Sequence, residues 1–113
     1  DEKTIYISDT GAPRNIRAFD VRDDGTLAND RFFAAPEPPA SDGFRLDTEG
    51  NVWTSAGDGV HVFTPEGTLI GKILTPEKVA NCVFGGANRS TLFITATSSL
   101  YSIEVKAVGV QRP

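Results

Sequence analysis

Apolar and polar positions alternate with a period of two along almost the whole chain, and no stretch shows the 3.6-residue spacing of an amphipathic helix. The alternation predicts short strands. "TIYISD" (4–9) sets Ile5 and Ile7 against Tyr6. "RNIRAFDVR" (14–22) places Ile16 and Ala18 on one face, and "DRFFAAP" (30–36) is a third strand. "DDGTL" (23–27) between them is a turn in which Gly25 supplies the positive φ. "PEPPAS" (36–41) is rich in proline, so no strand can run through it. The pattern then restarts with "GFRLDTEG" (43–50), "NVWTSAG" (51–57), "GVHVFTPEG" (59–67) and "TLIGKILTP" (68–76). It restarts again with "NCVFGGANRS" (81–90), "TLFITATSS" (91–99) and "LYSIEVKAV" (100–108).

These restarts are a repeat. "DEKTIYISDTG", "EGNVWTSAGDG" and "NRSTLFITATS" each run from a polar turn through an apolar–aromatic triplet into small polar residues. Tyr6, Trp53 and Phe93 hold matching places, 47 and 40 residues apart, and Gly25 and Gly67 match at a separation of 42. A period of about 40–50 residues with four strands per unit marks the blade of a β-propeller. The matching aromatics are expected to pack between adjacent blades. The fold class is therefore all-β, a partial propeller of about two and a half to three blades, with boundaries near 36–42 and 76–81. The first unit lacks its innermost strand. A ring needs at least four blades to close, so the expectation is that something else completes it, either another segment or another copy of the chain. The start on "DEKTIYISD", without methionine, reads as a processed, cleaved or excerpted N-terminus.

Composition narrows the partners. The chain has 113 residues, 11 basic against 15 acidic, and a net charge of −4. That balance argues against a nucleic-acid surface. No apolar run approaches the roughly 18 residues that cross a bilayer. The single cysteine, Cys82, excludes an intrachain disulfide and leaves the cytoplasm as the default compartment.

Several motifs together are more specific than any one alone. "SDGFRLDTEGNVW", "GVHVFTPEGTLIGKILTPE", "NCVFGG" and "LFITATSSLYSI" closely resemble the C-terminal part of the gluconolactonase, or senescence-marker-protein and regucalcin, family, and "DEKTIYISDTG" resembles its preceding blade. The resemblance spans about residues 1–105. It implies a six-bladed propeller of which this chain is the C-terminal half. It also implies a divalent cation, calcium or zinc, at one mouth of the channel, and hydrolysis of sugar lactones. Of the family's metal ligands only an aspartate has a counterpart here, Asp42 of Ser41–Asp42–Gly43; the glutamate and asparagine fall upstream of Asp1. Many members carry proline where Ser41 stands.

Asp42 is accordingly the candidate metal ligand and catalytic residue. A residue just ahead of a blade's inner strand points into the channel mouth, where a carboxylate is a hard oxygen ligand and can accept a proton from attacking water. The pattern alone favours an Asx turn before a strand; the family resemblance is what points to metal ligation. Asp9 and Thr10 are candidate neighbours of the site. Asp47, Glu49 and Asp58 read as turn residues, with Asp58–Gly59 as a two-residue hairpin loop. His61, the only histidine, lies mid-strand in an outer strand and reads as a packed or surface residue. Cys82 has no local base or cation and reads as buried filler. Gly85–Gly86 suggests a bulge or a close approach of chains. Arg45 either pairs or faces the channel.

The function expected is the C-terminal part of a metal-dependent sugar-lactone hydrolase, inactive alone, whose partners are the lactone and the remaining N-terminal half of the propeller or another copy of the chain. The alternative is a non-catalytic binding or scaffold propeller segment, or a self-assembling half-propeller. Fold alone does not separate them.

Overall fold

The computed structural model describes residues 2–110. Residue 1, on which the expectation about the N-terminus rests, lies outside them. Among the described residues ten strands form three antiparallel sheets. The first contains β1 (Thr4–Ser8), β2 (Ile16–Val21) and β3 (Leu27–Ala34). The second runs β4 (Phe44–Leu46), β5 (Val52–Ala56), β6 (Gly59–Phe63) and β7 (Leu69–Leu74). The third contains β8 (Val79–Gly85), β9 (Thr91–Ala96) and β10 (Leu100–Glu104). Strands adjacent in sequence pair within each sheet. The up-and-down order follows from the short turns, where Gly25, Gly50 and Gly67 take φ of 80°, 85° and 84°. Among the described residues no helix is long and apolar enough to cross a membrane.

The sheets stack face to face, and the second is covered on both sides. Val52 and Phe63 join Ile16, Ala18, Phe33 and Ala34 of the first sheet. Trp53, Val60 and Val62, which point the other way by strand alternation, join Val79, Cys82, Leu92 and Ile94 of the third. Every residue of β5 and β6 is buried as a result. This is why "VWTSA" carries no polar-out, apolar-in signal: neither face meets water.

The aromatics at matching places behave unequally. Trp53 meets Phe84 of the third sheet edge-on, with ring centroids 5.3 Å apart. Such a pair contributes about 0.5–1.5 kcal/mol beyond its buried area. Tyr6 packs against Phe33 of its own sheet at 4.8 Å and reaches the core shared with the second. Phe93 lies on the face turned away from the second sheet, where Val83, Thr95 and Leu100 line a cleft with it. Val83 and Leu100 are exposed there, as are Ile5 and Ile7 on the first sheet.

Strand positions follow the sequence pattern closely, with three differences. The tight turn between β5 and β6 is Gly57–Asp58 rather than Asp58–Gly59, because Ala56 pairs with Gly59. A side chain at Gly59 would strike the carbonyl of Ile73. The irregularity in β8 falls between Val79 and Asn81, not at Gly85–Gly86. Gly85 pairs regularly with Thr91, and its missing Cβ leaves room for the ring of Phe93. The third sheet ends at Glu104. The chain then crosses to the second sheet, where Thr48 N donates to Val108 O and Val110 N to Leu46 O, at 2.8 and 2.9 Å.

Candidate active site

β4 is three residues long and has an aspartate near each end, Asp42 before it and Asp47 directly after it. Asp42 lies at the end of the molecule where the β1–β2 loop, the 35–43 connector and the β7–β8 loop gather. The main chain of Asp42 and Gly43 is fixed by three sheets. The Asp42 N–H donates to Ser55 Oγ at 2.9 Å, and the Gly43 N–H to the same oxygen at 3.2 Å and to Ala80 O at 2.9 Å. Ser8 Oγ donates to Asp42 O at 3.2 Å. Ser41, fully buried, shares a 2.7 Å hydrogen bond with Thr54 Oγ1. Gly43 admits no side chain, since a Cβ would fall 2.1 Å from Asn81 Oδ1.

The Asp42 side chain itself is exposed and accepts no hydrogen bond among the described residues. An Asx turn needs its carboxylate to accept from the main chain a residue or two ahead. Asp9, Asp24 and Asp47 do so, from Gly11 N, Thr26 N and Glu49 N; Asp42 does not. It opens instead onto a cavity of about 270 Å³ lined by Thr10, Arg14, Pro39, Ala40 and Lys78. Thr10 is thus brought to Asp42, whereas Asp9 is occupied with Gly11 and is not among the lining residues. Arg14 and Lys78 are the wall residues that sequence reasoning passed over. The available signal was position: each lies, like Asp42, one or two residues ahead of a strand leaving this end.

Asp47 is a correction to its reading as a turn residue alone. It is 2 % exposed. Oδ1 accepts from Glu49 N and Asn51 N at 3.0 and 2.9 Å, and Oδ2 from Asn51 Nδ2 and Trp53 Nε1 at 2.8 and 2.9 Å. The roomier cleft of about 580 Å³ at this end, between Tyr6, Leu46, Glu49 and Pro65, therefore has its buried carboxylate already saturated. Glu49 stays in the turn.

Asp58 also does more than turn the chain. Its Oδ1 lies 2.5 Å from Nε2 of His61, which is fully buried, and its Oδ2 accepts from Lys72 Nζ at 3.3 Å. Partial burial raises the Asp58 pKa, but the bonds from His61 and Lys72 outweigh it and hold the carboxyl below its usual range. Lys72 also donates to Glu37 O, tying the connector down. Among the described residues His61 Nδ1 has no hydrogen-bond partner and Nε2 is paired with Asp58, so no hydroxyl or thiol is hydrogen-bonded to the ring as a triad would need. Cys82 is 2 % exposed, and burial pushes its thiol up to about 12. Such a thiol is inert at neutral pH. Arg45 is exposed and donates to the carbonyl of Phe44.

Comparison with known proteins places this arrangement. Residues 1–98 match the family described as SMP-30/Gluconolactonase/LRE-like region. The chain belongs to that family. A gluconolactonase of Zymomonas mobilis is 30% identical over 120 residues, a match that covers 96% of this chain and 33% of the relative. The structure of a gluconolactonase from Xanthomonas campestris superposes with a TM-score of 0.86 at 41% identity, over 92% of this chain and 34% of that one. A calcium-binding regucalcin of Agrobacterium tumefaciens, 20% identical, has the same fold with a TM-score of 0.83, over 98% of this chain and 45% of that one. The three sheets are thus part of a six-bladed propeller, and the chain spans about a third of the length of the first two relatives.

Proposed function

We propose that this chain contributes to a divalent-metal-dependent hydrolase of sugar lactones, with Asp42 as metal ligand and as base. The observation that carries the reading is the contrast between the Asp42–Gly43 main chain, bound by hydrogen bonds to all three sheets, and an Asp42 carboxylate that accepts no hydrogen bond among the described residues and opens onto a cavity. A hard oxygen ligand without competing donors fits calcium. Among the described residues no three acidic, histidine or cysteine side chains converge, so Asp42 supplies one ligand and the rest of the ring the others. A bound cation would polarise the lactone carbonyl and stabilise the oxyanion.

Asp42 aligns the attacking water and takes its proton on a carboxylate oxygen. The water oxygen bonds to the carbonyl carbon, the ring C–O bond breaks, and the ring oxygen leaves as a hydroxyl by taking that same proton back from Asp42, which restores the carboxylate. The product is an open hydroxy acid. The apolar outer faces at Ile5, Ile7, Val83 and Leu100 suit the remaining blades, from a further segment or a second copy.

The test is Asp42→Ala in the assembled ring. Calorimetry with calcium or zinc should show binding lost, and turnover of D-glucono-1,5-lactone should fall by about 100-fold or more. Unchanged metal affinity and turnover in a well-folded variant would leave the scaffold alternative standing.

A further inference from the structure

The wall around Asp42 has a charge that neutral lactone chemistry does not call for. Arg14 and Lys78 line the same cavity as Asp42, two cations against one carboxylate, in a chain whose net charge is −4. Both are exposed, and neither forms an ion pair among the described residues. Arg17, Arg31 and Lys72 are paired to Asp30, Asp20 and Asp58, whereas Arg22, Arg45, Arg89 and Lys106, like Arg14 and Lys78, form no ion pair among the described residues; what sets Arg14 and Lys78 apart is that they share the Asp42 cavity. Arg14 also holds a left-handed main chain, φ 58°, a conformation that glycine adopts without penalty and a residue with a Cβ does not.

The two cations come from different sheets. Arg14 precedes β2 and Lys78 precedes β8, while Asp42 precedes β4 between them. A planar guanidinium and an ammonium reaching one cavity from two sides form a receptor for an anion: the first can bind two oxygens at once, the second acts as a point charge. A sugar hydroxyl would use neither fully. Thr10 adds a hydroxyl to the same wall.

We infer that the Asp42 cavity takes lactones that carry an anionic substituent, a carboxylate or phosphate distant from the reacting ester, held by Arg14 and Lys78. This rests on the reading of Asp42 as the reacting end. The anion sits at the cationic wall while the ester carbonyl lies toward Asp42. The cations also draw the anionic substrate toward the mouth, so capture falls as salt rises.

The assembled ring is assayed with three substrates: neutral D-glucono-1,5-lactone, D-glucaro-1,4-lactone as the carboxylate, and 6-phospho-D-glucono-1,5-lactone as the phosphate. kcat/KM should favour one charged lactone over the neutral one by about tenfold or more, and which one identifies the anion. In Arg14→Gln and Lys78→Gln that preference should fall by about tenfold each, through KM rather than kcat. A preference for the neutral lactone, or variants that lower all three substrates equally, would overturn the inference. Calorimetric binding of the D-glucarate dianion gives a readout that does not depend on turnover. If no lactone is hydrolysed, the Asp42 reading fails by itself. The anion site then stands if glucarate binds the parent protein and not the double variant, and falls if glucarate binds neither or both.

Discussion

The two aspartates flanking β4 have the same side chain and opposite circumstances. Asp47 is buried and accepts four hydrogen bonds. The Asp42 side chain is exposed and its carboxylate accepts none among the described residues, although its own N–H and carbonyl are held. The first spends its carboxylate on the fold, tying the turn to the indole of Trp53. The second is held through its main chain, and its carboxylate opens onto a cavity. The two acids are told apart here by what their oxygens touch.

Substitution breaks this contrast most directly. Asp42→Ala should abolish lactone turnover in the assembled ring yet change stability by no more than about 0.5 kcal/mol, as surface replacements do. Asp47→Ala leaves the Trp53 and Asn51 donors without partners and should cost about 2–4 kcal/mol. Thermal melts and initial rates on the two variants check both. If Asp42→Ala melts as early as Asp47→Ala, the distinction is lost.

Ser55→Ala sharpens the contrast. It deprives the Asp42 N–H of its acceptor and leaves Gly43 N with Ala80 O alone, at a cost of about 1–2 kcal/mol. Because the same bond seats Asp42, kcat should fall too. A drop in denaturation midpoint without any drop in kcat would separate the serine from the site.

A smaller effect concerns Asp58. Its folded-state pKa lies below the ordinary 3.8, through His61 and Lys72 against the opposing pull of burial. The stabilisation is present in full above that ordinary value and is lost as the pH falls through the folded one. Asp58 is partly exposed, so the slope below about pH 4 should amount to less than about 1 kcal/mol, and Asp58→Asn should remove it. Urea titrations at several acidic pH values test this. Smallest of all, Cys82 with its thiol at about 12 should resist iodoacetamide at pH 8 until the protein unfolds.

Much of the fold was legible in residues alone. The period from Tyr6 to Trp53 to Phe93 set out three sheets; the connector at 35–43 lies between the first two, while β8 already begins at Val79, inside the 76–81 stretch read as a boundary. What escaped was whatever depends on a second face. β5 and β6 are covered on both sides, so Thr54, Ser55 and His61 are buried although nothing in a period of two announces it. The four bonds to Asp47 were missed because Asp–x–Glu–Gly–Asn reads as a turn regardless of whether Trp53 folds back over it. At the mouth, Asp42 was singled out through family likeness and strand position. Arg14 and Lys78 were not, because residues 64 apart in sequence meet only once the sheets stack.

The anchoring of Asp42 and Gly43 to Ser8, Ser55 and Ala80 makes one dipeptide the meeting point of three separately wound sheets. Tilting any sheet against its neighbour would swing the carboxylate with it. Loops around the rim can then drift in sequence at little cost to aim, while substitutions far away that alter how the sheets stack would be felt at the hub.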